Sequence, residues 1–146
     1  MELMPQRTQP FDASTIRPLM EEVKRRLMLD PDRYDQNIFC GSPCCIAGHI
    51  DTLVNGLNAH LGHATGETIT AACIALNEAS PIWLFGATLD NEMCEKLLEH
   101  GEATVAPDPD SWPADLSLRY LDAQFPAEQA AVACDAIDRW LAEKGY

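Results

Sequence analysis

Apolar residues in this chain return at intervals of three and four, segment after segment, and no stretch alternates convincingly in twos. That period is the face of an α-helix, so the chain is predicted to be all-α. In STIRPLMEEVKRRLM the repeating residues are Ile16, Leu19, Met20, Val23 and Leu27. The helix is expected to begin near Ser14 or Thr15, and because Pro18 is tolerated best in a first turn its regular part is predicted over about 17–28. Ser42 and Pro43 read as a cap and first helical residue, opening a helix over about 43–54 that buries Cys45, Ile46, His49, Ile50 and Leu53 and stops at Asn55 and Gly56. Thr65 caps a third helix through GETITAACIALNEA, with Ile69, Ala72, Cys73, Leu76 and Ala79 inward.

The second half is punctuated as clearly. PIWLFG is a short apolar turn anchored by Trp83 and Phe85. DNEMCEKLLEHG holds Asp90 as cap, Met93, Leu97 and Leu98 inward, His100 in the last turn and Gly101 beyond it. SWPADLSLRYLDAQF starts a helix near Ser111 or Trp112 and gives Leu116, Tyr120 and Leu121 to the core. Pro126 opens the last helix, with Ala130, Ala133, Ile137, Trp140 and Leu141 inward and Gly145 past its end. The expected architecture is a compact orthogonal bundle of five or six short helices in a single domain over residues 14–146. Residues 1–13, with two prolines and no period, read as a flexible arm.

A chain of 146 residues with 47% apolar content is large enough for a true core without staples. No window nears the roughly 18 apolar residues of a membrane span, and the first residues lack a signal peptide's basic and apolar regions. A cytoplasmic protein is expected, and its six cysteines, three of them in helical apolar patterns, suit a reducing compartment.

The net charge of −13 is unevenly spread. Residues 1–33 are neutral, whereas residues 34–118 carry twelve acids against the single base Lys96. Such a field repels nucleic-acid phosphates and anionic lipids, so neither is expected as a direct partner. It attracts a basic protein. Candidate contacts are Asp90, Glu92, Glu95, Glu99, Asp108, Asp110 and Trp112, the last as an aromatic anchor in an acidic loop. Simple solubility is the competing explanation of the charge.

The segment FCGSPCCIAGH gathers Cys40, Cys44, Cys45 and His49. Zinc takes thiolate and imidazole ligands, and Cys45 and His49 lie one helical turn apart, with Cys40 before the helix and His60 or His63 after it. The metal set is therefore Cys40, Cys45, His49 and His63, and zinc the cofactor it would hold. Thiol redox chemistry is a second possibility, since a cysteine in a first helical turn meets unpaired N–H groups that lower its pKa, with Cys40 as resolving thiol. Plain packing of small thiols at a helix start is the third, and carries the most weight. No phosphate loop, nucleophile elbow or His-Glu-x-x-His helix is present in the sequence. Asp108 and Asp110 alone fall short of a calcium loop.

The order CGSPCCIAGH, WLFG, SWP and AAVACDAIDRWL resembles a group of small uncharacterised bacterial and phage proteins, over about residues 34–143. On their pattern fall Cys40, Gly41, Ser42, Cys45, Gly48, His49, Leu84, Phe85, Trp112 and Pro113. The resemblance implies no activity. The function expected is a non-enzymatic protein-interaction module, connected with a mobile element. The alternative is a metal or thiol protein using Cys40, Cys45 and His49.

Overall fold

The computed structural model describes residues 13–34, 45–55, 65–76, 78 and 82–146, and among these it is all-α. Six helices follow in order: α1 (Ala13–Leu29), α2 (Ile46–Asn55), α3 (Thr65–Ala75), α4 (Asn91–Glu99), α5 (Ala114–Asp122) and α6 (Pro126–Lys144). Single 3-10 turns lie at Pro31–Arg33 and Trp83–Phe85. Residues 1–12, most of the expected arm, lie outside the described residues.

The periodic stripes are the core. Ile16, Met20, Val23 and Leu27 of α1 face Ala130, Ala133, Ile137, Trp140 and Leu141 of α6, all fully buried, and α1 packs along α6. On the other side α1 meets α2, and α2 pairs with α3 through Ile46, Ala47, Ile50, Ala72 and Cys73. Leu84, Phe85, Trp112, Leu116 and Tyr120 complete one apolar cluster. Burying such side chains is worth about 1.5–3 kcal/mol each, which is what holds helices too short to persist alone.

Several boundaries depart from the sequence expectation; α5, for one, starts at Ala114 and not at Ser111 or Trp112. α1 begins at Ala13, close to the expected start, but it is regular through Pro18, which lies beyond the first turn. Pro18 has no N–H for the carbonyl of Ser14, but both residues are exposed, where water can serve that carbonyl, and the buried stripe outweighs the lost bond. The described part of α2 begins at Ile46, with Cys45 in the capping place before it; Ser42 and Pro43, where the sequence puts the start, lie outside the described residues. α3 ends four residues early because the N–H of Glu78 returns to the carbonyl of Cys73, closing the helix end with a wide six-residue turn.

Polar side chains tie α6 to its neighbours. Asp138 takes the ammonium of Lys24 at 2.7 Å, Asp135 pairs with Arg119 at 2.6 Å, and Arg139 grips Asp115 through two bonds of 2.7 and 2.6 Å. Glu143 accepts the indole N–H of Trp83 at 3.0 Å. At the far end Arg17 donates two bonds to the main-chain oxygen of Tyr146, whose ring lies against Trp140.

Candidate functional site

α4 is set apart from this core, and the local sequence explains how it is held. Asp90 Oδ1 accepts the N–H of Met93 at 2.8 Å, capping the first turn. At the other end Gly101 adopts φ +72°, and the N–H groups of Gly101 and Glu102 return to Leu98 and Leu97. The helix packs on α5. Its one fully buried side chain, Cys94, lies outside the main apolar cluster. Met93 and Leu98, expected inward, are 42% and 45% exposed and flank the buried seam of Cys94 and half-buried Leu97. Here the periodicity placed two flanking residues inside because it does not tell the centre of an apolar stripe from its edges.

The opposite face is acidic. Glu92, Glu95 and Glu99 are all exposed. At 100° per residue they fall within about 60° of arc, so three carboxylates form one ridge along the helix. Lys96, on the same side, reaches Glu92 at 3.5 Å and offsets part of that charge. The field is felt by Cys94, whose thiol is pushed above its ordinary pKa by burial and then by the carboxylates of Asp90 and Glu95. Glu102, not singled out from the sequence, is exposed just past the helix.

The loop after α4 is anchored and not free. Ala87 and Ser111 form an isolated bridge, in which Ala87 donates to the carbonyl of Asp110 at 3.1 Å and accepts from the N–H of Trp112 at 3.0 Å. Asp108 Oδ1 takes the N–H of Asp110 at 2.8 Å, so Asp108 shapes the turn, and both residues remain exposed. The hydroxyl of buried Ser117 accepts the N–H of Leu89 at 3.0 Å. Trp112 is not a surface contact. It is fully buried, donates its indole N–H to the carbonyl of Leu84 at 3.1 Å, and meets Tyr120 edge-on. An indole beside a proline in an acidic loop carries the same local sequence whether it points out or in; burial of its large apolar ring decides here.

Of the proposed metal set, Cys45 and His49 are described, while Cys40 and His63 lie outside the described residues, as do Cys44 and His60. Cys45 and His49 are 1% and 5% exposed. The Cys45 sulfur receives the N–H of Gly48 at 3.3 Å, so the side chain caps α2. Nδ1 of His49 lies 2.8 Å from the Cys45 carbonyl. A carbonyl can only accept, so this nitrogen carries the proton. Among the described residues no three His, Cys, Asp or Glu side chains are grouped to hold a metal ion. No helix among them is long and apolar enough to cross a membrane.

The described residues of the bacterial and phage pattern, Cys45, Gly48, His49, Leu84, Phe85, Trp112 and Pro113, are all buried. Two of them, Leu84 and Trp112, are hydrogen-bonded to one another. Those positions serve packing and helix capping. No protein-family model, no curated protein and no solved structure matches the chain.

Proposed function

We propose that this protein is a non-enzymatic binding module that engages a basic partner protein through the solvent face of α4. The observation that supports it is the ridge of Glu92, Glu95 and Glu99 on a helix packed on α5 outside the main core, flanked by the half-exposed Met93 and Leu98. Carboxylates aligned along one face attract a run of lysine or arginine, and apolar flanks supply contact area that charge alone lacks.

The test must separate this face from the overall charge. Binding to an immobilised lysine-rich amphipathic helical peptide is measured for the wild type, for Glu92→Gln/Glu95→Gln/Glu99→Gln, and for Asp32→Asn/Asp122→Asn/Glu128→Gln. The two variants lose the same three charges. The α4 variant is expected to bind about tenfold more weakly, a loss of about 1.4 kcal/mol, and the control variant to remain near wild type. Equal weakening in both variants, or wild-type binding indifferent to salt between roughly 0.05 and 0.5 M, overturns the proposal.

A second reading, a zinc or thiol centre using Cys40, Cys45, His49 and His63, draws support from the orientation of His49. Metal-bound histidines commonly turn one N–H to a backbone carbonyl and present the other nitrogen to the ion. Native mass spectrometry of untagged, reduced protein tests it. One zinc per chain, removed by chelation and lost in Cys40→Ser, is the expected result under this reading; a bare mass after purification and after zinc addition overturns it.

A further inference from the structure

We draw no further inference here: the strongest candidate, the shallow groove between the end of α5 and the start of α6 lined by Ala123, Ala131 and Val132 and edged by Asp122 and Glu128 beside the exposed Phe125, is an apolar face for which nothing in the structure shows what covers it.

Discussion

Asp115 and Arg139 form a two-bonded ion pair between α5 and α6, and both side chains are less than a third exposed. Burial alone would raise the Asp115 pKa, but two hydrogen bonds from Arg139 and its charge outweigh that cost and hold the carboxyl below its ordinary value. A lowered native pKa adds stability that is fully present above the unfolded value, about 3.9, and fades as pH falls through the native one. Asp115→Asn is therefore expected to cost about 1–2 kcal/mol at pH 7, between the values of exposed and buried pairs. The gap to wild type should close as urea melts are repeated from about pH 4 downward. Comparison with the variant is necessary because Arg25 and Arg26 also hold Glu22 down, to about 2. A gap constant with pH would mean that Asp115 acts through packing. Cys134 behaves in the opposite sense: burial pushes its thiol up to about 11, so it stays protonated at neutral pH.

Helix identity was legible because each segment carried both a stripe and its punctuation. For α4 and α6 the caps Asp90, Gly101 and Gly145 and the opening Pro126 lie where the sequence puts them. Legibility failed where a residue's role depends on something distant in the chain. Trp112, Ser117 and Gly86 are examples, because each is fixed by the crossing of residues 86–89 with 108–117. Gly86 shows the consequence most sharply. A Cβ there would overlap the main-chain carbonyl of Asp110, and backbone held on both sides cannot yield as a flexible side chain would. Gly86→Ala is expected to destabilise by about 1–3 kcal/mol in denaturant melts, despite an ordinary extended φ of −79°. An unchanged midpoint would show that the crossing is loose. Of the candidate site, charge picked out Glu92, Glu95 and Glu99, whereas their alignment on one face follows from the helix register and the exposure of Met93 and Leu98 required knowing that α4 sits at the edge.

At the scale of the whole molecule, burial is graded from the α1–α6 seam outward, and local stability is expected to follow it. α6 buries seven residues and is tied by side chains to α1, α5 and the Trp83 turn, whereas α4 buries Cys94 alone. Backbone bonds in elements with few buried apolar contacts open without global unfolding. Hydrogen exchange is expected to give amides near Ala133–Trp140 protection close to the global value and amides of α4 markedly less. Uniform protection would join α4 to the same cooperative unit.

The bridge between Ala87 and Ser111 gives that gradient a particular form. Because the chain enters and leaves the α4 excursion at adjacent points, residues 88–110 make a loop whose neck is already closed. The entropy of bringing its ends together depends only weakly on what the loop contains. Opening of α4 therefore need not part the neck: the loop can lose its packing on α5 while the ends it hangs from stay paired and the α1–α6 seam stays closed.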